Sequence, residues 1–324
     1  ALVRVAAVSA MLIATTAHAA PPADIDVFAQ HVLEAFETPG MSIAIVERGQ
    51  PTVLRRYGVR RMGQPAQVDE NTLFAIGSTT KAFTSAILAT LVDEGKLTWD
   101  TRVSDVLPGF KLQDAYASSE MTVRDLLVHR SGLGLGAGDL LFYPPPSDRT
   151  RAEIVHSLRY IKPASSFRST FAYSNMMYLV AGEVIKAVGG ASWEEAVRQR
   201  IFAPLQMTSS TTSSLLPAGA NRAWPHSRIT TDMRGDGPVV ALAAPVDIDI
   251  VGPTGSIQSS TADIARWLEL QLGRGLDPQT NKRVFSEAQA REMWTPQMVV
   301  PVAPNPRGLE LAQAAYKAYA LGWS

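Results

Sequence analysis

The stretch Phe74-Ala75-Ile76-Gly77-Ser78-Thr79-Thr80-Lys81-Ala82-Phe83 decides how the rest of the chain is read. From Ser78 onward the apolar spacing turns helical. At the start of a helix, positions i and i+3 share a face, so the Lys81 amine reaches the Ser78 oxygen. The helix N-terminus also favours negative charge developing there. A serine hydroxyl is a poor nucleophile until a neighbour takes its proton, and a desolvated lysine is one such base. Standing alone, the spacing favours a plainer description, a Ser N-cap followed by a surface lysine. A chain this long shows Ser-x-x-Lys about once by chance.

A second segment changes that balance. Tyr173-Ser174-Asn175 lies between Phe171 and the apolar run Met176 to Val188. A tyrosine hydroxyl can relay a proton, and an asparagine amide can hold a substrate carbonyl and a neighbouring ammonium together. In isolation the triplet is more simply an aromatic packing residue and an Asn N-cap. Ser-x-x-Lys and Tyr-x-Asn each occur once in the chain, in this order.

The surrounding residues match a known pattern. Phe74 to Phe83 resembles the nucleophile segment of the serine β-lactamase and penicillin-binding-protein superfamily. Leu126-Leu127-Val128-His129-Arg130-Ser131-Gly132-Leu133 is similar to the helix-end signature of its class C, esterase-like and D-peptidase branch. Phe171 to Asn175, with Gly182-Glu183-Val184-Ile185, resembles that branch's second segment. Ile201-Phe202-Ala203-Pro204-Leu205-Gln206-Met207 matches its Pro-Leu-Gly-Met turn, with Gln in place of Gly, and Ser259 to Leu268 resembles a later helix. The resemblance covers residues 25 to 324.

The resemblance implies an α+β fold of the β-lactamase/DD-peptidase type, with an antiparallel sheet flanked by helices and a mostly helical subdomain. It implies an acyl-enzyme mechanism. Ser78 attacks an amide, β-lactam, D-amino-acid peptide or ester carbonyl, Lys81 and Tyr173 share the proton handling, and Asn175 orients substrate and Lys81. The oxyanion lies against the Ser78 N–H and a second N–H from a sheet strand. No cofactor and no metal are implied. Fold does not choose between a β-lactamase, a D-peptidase and an esterase. The alternative from another class is a non-catalytic, or non-turning-over, binder of cell-wall peptides or β-lactams.

One part of the pattern is absent. The family carries a third motif, Lys-Thr-Gly or His-x-Gly, after a Tyr-Gly-Leu-Gly-Trp-like stretch. The sequence carries such a stretch at its end, Tyr319-Ala320-Leu321-Gly322-Trp323, and Ala320 to Ser324 reads as an entering strand without a partner. Pro253-Thr254-Gly255 is read as structural rather than as that motif. The expectation is a C-terminally truncated chain with an incomplete sheet, marginally stable and weakly active or inactive.

Composition narrows the field further. The chain has 324 residues, 30 Lys plus Arg against 30 Asp plus Glu, no cysteine and 46% hydrophobic residues. A net charge of zero gathers neither nucleic acid nor anionic lipid. The absence of cysteine excludes disulfides, thiol nucleophiles and thiolate metal sites. Arg4, the apolar run Val5 to Ala14 and Ala17-His18-Ala19 form a signal-peptide layout over residues 1–19, which implies a periplasmic or secreted domain over residues 20–324. No later stretch reaches the length of a membrane anchor. The partner expected is a small-molecule or peptide substrate, and nothing fixes an oligomeric state.

The coarse elements follow from local signals. Asp26 to Phe36 is helical, and Met41 to Val46 and Thr52 to Tyr57 are strands joined through Arg48-Gly49-Gln50-Pro51. Capping boxes are predicted at Thr122/Asp125, Thr150/Glu153, Ser192/Glu195, Ser260/Asp263 and Ser286/Gln289. Gly134 to Pro146 reads as a long loop over a surface or cleft, whose Leu140-Leu141-Phe142-Tyr143 favours apolar or ester substrates. The histidines lack ligand spacing. His129 is expected at a helix C-terminus, where a cation meets the dipole favourably.

Overall fold

The first elements after the N-terminus are a helix, α1 (Ile25–Phe36), and a hairpin of β1 (Gly40–Ile45) and β2 (Val53–Gly58). The structure, a computed structural model, describes residues 24–228, 237–305 and 313–324; the leader expected over residues 1–19 lies outside them. The hairpin register runs from Gly40 opposite Gly58 to Ile45 opposite Val53. A Cβ at Gly58, at φ +68, would sit 2.1 Å from the Pro39 carbonyl, so this crossing point requires glycine.

The body follows in order. It comprises β3 (Phe74–Ala75), α2 (Thr80–Asp93), α3 (Val103–Val106), α4 (Ala115–Glu120), α5 (Val123–Leu127), α6 (Arg151–Ser157), α7 (Asn175–Gly189) and α8 (Trp193–Val197). Then come β4 (His226–Arg228), β5 (Val239–Ala241), α9 (Gly252–Gly255), β6 (Gln258–Ser259), α10 (Thr261–Leu272), α11 (Glu287–Trp294), β7 (Met298–Val299) and β8 (Ala318–Tyr319). All strand pairs among the described residues are antiparallel and two-stranded: β1 with β2, β3 with β6, β4 with β5, and β7 with β8.

Helix α2 is buried on every side from Thr80 to Leu91, as expected of a helix that other helices surround. Helices α7, α8, α9 and α11 pack on it, and α10 reaches it through Trp267, whose ring stacks on Phe83 at 4.0 Å. Trp267, Trp323 and Trp294 continue the same stack, with successive centroids 6.5 and 4.5 Å apart. The second central helix, α7, is buried along Met176 to Ile185, where Met176 and Met177 act as packing residues. At Gly182 an added Cβ would meet Pro253 at 2.4 Å, so the bare backbone lets α9 lie directly on α7.

Of the five predicted caps, Thr122/Asp125 and Thr150/Glu153 are complete boxes. Ser192, Ser260 and Ser286 cap through their own hydroxyls alone. Asp263 instead accepts from Ser209 and Ser210, and Gln289 accepts from the Trp99 indole. The strand expected over Ala320 to Ser324 is not formed there; the strand lies just before it and has a partner. Tyr319 and Ala318 pair with Met298 and Val299, and the chain then turns through Gly322, with Ala320 N–H donating to Trp323 O at 2.8 Å.

A buried carboxylate ties α5 to the segment that precedes α7. Asp125, fully buried, caps α5 and accepts from Arg130 Nε and from Arg168 at 2.6 Å. Burial alone raises its pKa, but the Arg168, Thr122 and Arg130 contacts outweigh that and hold it below its usual range. Its stabilisation is therefore present above the unfolded carboxyl range and lost as pH falls through the folded pKa. Asp125→Ala leaves two arginines without their counter-charge and is expected to cost about 3 kcal/mol. The measurement is the urea midpoint at pH 7; a midpoint equal to that of the unsubstituted chain would show that the arginines find other partners.

Candidate active site

Strand β3 delivers the chain to Ser78. Ile76 N–H donates to Ile257 O at 3.1 Å, and Gly77, at φ +52, turns the backbone into a 3-10 turn over Gly77–Thr79 that runs into α2. This turn leaves Ser78 exposed and places Lys81 in the first turn of α2, fully buried. Lys81 is therefore not the surface lysine that a capping reading of Ser78 would require.

The segment that carries Tyr173 is templated by the end of α5. Arg168 N–H donates to Arg130 O at 2.8 Å, Ala172 N–H to His129 O at 2.7 Å, and Ser174 N–H to His129 Nδ1 at 3.1 Å. Ser174 is the N-cap residue of α7, and Asn175 is its first helical residue. The Asn175 side chain is thus turned inward instead of capping.

The four residues expected to act together converge. Ser78 Oγ lies 2.7 Å from Tyr173 OH and 3.1 Å from Lys81 Nζ. Lys81 Nζ also donates to Asn175 Oδ1 at 3.1 Å and to the Thr254 carbonyl at 3.0 Å. The amine lies 4.9 Å from the centre of the Tyr173 ring and 5.3 Å from that of Tyr178. Two contributors escaped the sequence reading. One is the Thr254 carbonyl, from the segment read as structural. The other is Asp139, whose Oδ2 accepts from Asn175 Nδ2 at 3.3 Å. Asp139 opens a 3-10 turn, Asp139–Phe142, inside the stretch read as a loop; a lone acid among glycines and apolar residues was its only signal.

Burial sets the protonation states. Desolvation pushes Lys81 down to about 7, against an upward pull from the Asp139 charge. Tyr173 is raised, chiefly by burial, so its phenol stays neutral at pH 7. His129 corrects an expectation. It is fully buried, with its ring against Tyr173 at 4.3 Å and Tyr319 at 4.7 Å. Burial and then the Lys81 charge push it down to about 3, so it is neutral and no cation meets a helix dipole there. Its role is to accept the Ser174 N–H and wedge Tyr173. Among the described residues no three His, Asp or Glu side chains converge as a metal site would need.

With the geometry in hand, comparison with known proteins is direct. The sequence model of the Beta-lactamase family matches residues 28–324. The chain belongs to that family, within the serine β-lactamase and penicillin-binding-protein superfamily of hydrolases. It is 29% identical over 330 residues to an unguisins hydrolase of Aspergillus campestris, covering 96% of this chain and 59% of the relative. It is 32% identical over 259 residues to penicillin-binding protein 4 of Amycolatopsis lactamdurans, covering 79% of this chain and 65% of that protein. The chain thus spans roughly three-fifths of the length of these relatives. Its fold is similar to the octameric penicillin-binding protein homologue of Pyrococcus abyssi, with a TM-score of 0.72 at 23% identity over 92% of this chain and 64% of that one. It is also similar to the D-amino acid amidase of Ochrobactrum anthropi SV3, with a TM-score of 0.68 at 25% identity over 86% and 74% of the two chains.

The protonation state of Lys81 is open to direct measurement. With 13C at the lysine ε-carbons, the Lys81 signal is expected to titrate near pH 7, far below the usual lysine range of about 10.4. A midpoint near 10 would show that water reaches the amine.

Proposed function

We propose that the chain is an exported serine hydrolase that works through an acyl-enzyme on Ser78. The observation that carries this reading is the hydrogen-bond geometry at Lys81. Its three partners are the Asn175 carbonyl, the Thr254 carbonyl and the Ser78 hydroxyl. A neutral amine has two N–H donors and one lone pair. Two of the partners can only accept, so they take both N–H groups and the lone pair is left for the one partner that can donate, Ser78. A lysine that titrates near 7 is neutral in a large fraction of molecules at physiological pH, which supports its assignment as the base. The neutral phenol of Tyr173, held 2.7 Å from Ser78 Oγ, supports a relay role.

The steps balance as follows. Ser78 Oγ bonds to the substrate carbonyl carbon as its proton passes to Lys81 Nζ. The Ser78 backbone N–H at the start of the helix is the first candidate donor to the oxyanion. Collapse breaks the bond to the leaving amine or alkoxide, which takes the proton back through Tyr173. Water then attacks the ester, the acid departs and Ser78 regains its proton. Asn175 orients Lys81 and the substrate carbonyl.

The substrate class proposed is an amide or ester with an apolar group beside the scissile bond. Leu135, Leu140 and Tyr143 are 78%, 83% and 57% exposed on the stretch that carries Asp139, and they support an apolar neighbour for the substrate. The likeness to an amidase supports including amides among the trial substrates. The stretch Val5 to Ala14 with Ala17-His18-Ala19 supports a periplasmic or secreted location.

Trial substrates are p-nitrophenyl acetate, a chromogenic cephalosporin and D-phenylalanine amide, with intact-mass analysis of Ser78 acylation by a fluorophosphonate. The adduct is expected in the unsubstituted chain and absent in Ser78→Ala. Its rate is expected to rise with pH through about 7, because the base must be neutral, and Lys81→Arg is expected to lose about a hundredfold or more. Modification that survives in Ser78→Ala would place the nucleophile elsewhere.

A further inference from the structure

We propose that Asp139 is a positioning residue of the Ser78 site, which locks the Asn175 amide with its carbonyl toward Lys81 and supplies the negative charge that Lys81 senses. The inference rests on the reading of Lys81 as the base and deepens it.

An asparagine side chain presents a carbonyl on one side and an NH2 on the other, and the two are nearly equal in shape. Lys81 Nζ donates to the Oδ1 side and Asp139 Oδ2 accepts from the Nδ2 side. A flipped amide would set N–H against a donor at one end and oxygen against a carboxylate at the other. The opposite characters of Lys81 and Asp139 therefore select one orientation, and they leave the second Nδ2 hydrogen free for a substrate oxygen.

Asp139 Oδ1 is buried and has no hydrogen-bond partner, although the residue sits on a stretch whose next residue, Leu140, is exposed. A carboxylate held this way is costly unless a charge of opposite sign compensates it. Burial raises the Asp139 pKa, and the Asn175 N–H and Lys81, in its protonated form, pull it back down. The turn is also fixed in place: a Cβ at Gly138, at φ +86, would come within 2.9 Å of Met176 Cγ, so the backbone before Asp139 lies against the start of α7.

The groups that face Lys81 can be named from each element. Ser78 comes from the turn before α2, and Asn175 and Tyr178 come from α7. Tyr173 comes from the segment before α7, and the Thr254 carbonyl comes from α9. His129, after α5, is neutral. Asp139 supplies the carboxylate charge that acts on the amine, and it holds the lysine more basic than burial alone would leave it.

The test reads Lys81 itself. In Asp139→Asn, the 13C ε-carbon titration of Lys81 is expected to move to lower pH, because the counter-charge is gone and the shape is kept. The acid limb of Ser78 labelling by the fluorophosphonate is expected to move with it. Asp139→Ala removes the acceptor as well, and its plateau labelling rate is expected to fall by about tenfold or more. In the unsubstituted chain, the Asn175 side-chain N–H signals are expected to shift as Asp139 titrates, which needs no variant to fold. An unchanged Lys81 titration in both variants, or Asn175 signals blind to Asp139, overturns the proposal. The lysine titration needs no turnover, so its failure is separate from failure of the acylation reading, which shows as a missing Ser78 adduct in the unsubstituted chain.

Discussion

The structure depends on keeping one lysine amine out of water. Lys81 is fully buried, and a charge in that position is costly unless it is solvated by the protein or given up. Four separate stretches of chain meet around it. The turn before α2 brings Ser78, the first residue of α7 brings Asn175, α9 brings the Thr254 carbonyl, and the 3-10 turn after Gly138 brings Asp139. Packing elsewhere in the molecule holds these stretches in place. The bare Gly182 lets α9 lie on α7, and the end of α5 hydrogen-bonds the backbone that leads to Tyr173. The motifs that identify the family are thus of two kinds. Some carry the side chains that converge, Ser78, Lys81, Tyr173 and Asn175, and others, such as Val128 to Gly132, shape the backbone that carries them.

How much of this was legible in the sequence depended on range. Ser78 and Lys81 were legible because an i, i+3 pair is a local helical relation. Helix α1, the β1–β2 hairpin and all five N-cap hydroxyls were legible for the same reason. The pairing of β3 with β6 and of β7 with β8 joins segments far apart in the chain, and no local pattern encodes it. The same holds for Tyr319, which read only as the first residue of a motif-like stretch and in fact packs its ring on His129 and Phe171.

The misses at the site have specific causes. The Thr254 contribution is a backbone carbonyl, so side-chain identity carries no trace of it. Asp139 sits where neither helical nor strand periodicity applies, and its partner Asn175 is 36 residues away. The charge of His129 was misread because its burial comes from Phe171, Tyr173, Tyr178 and Tyr319, none of them near it in sequence. Position on a helix suggested a cation, and the aromatic cage made it neutral. Desolvation outweighed the dipole.

The stack of Phe83, Trp267, Trp323 and Trp294 has an optical consequence. Three of the chain's six tryptophans lie in one ladder, with two of its contacts near parallel. The stacked rings couple to one another at these separations, so emission and near-ultraviolet circular dichroism carry a contribution from the ladder as a unit. That contribution reports how α10, α11 and the final residues sit on α2, while Trp193, hydrogen-bonded to Thr84 and set against Gly252, reports separately on α8 and α9. A spectroscopic melting curve of this protein thus mixes the ladder coming apart with the release of Trp193, and substitution of Trp193 separates the two.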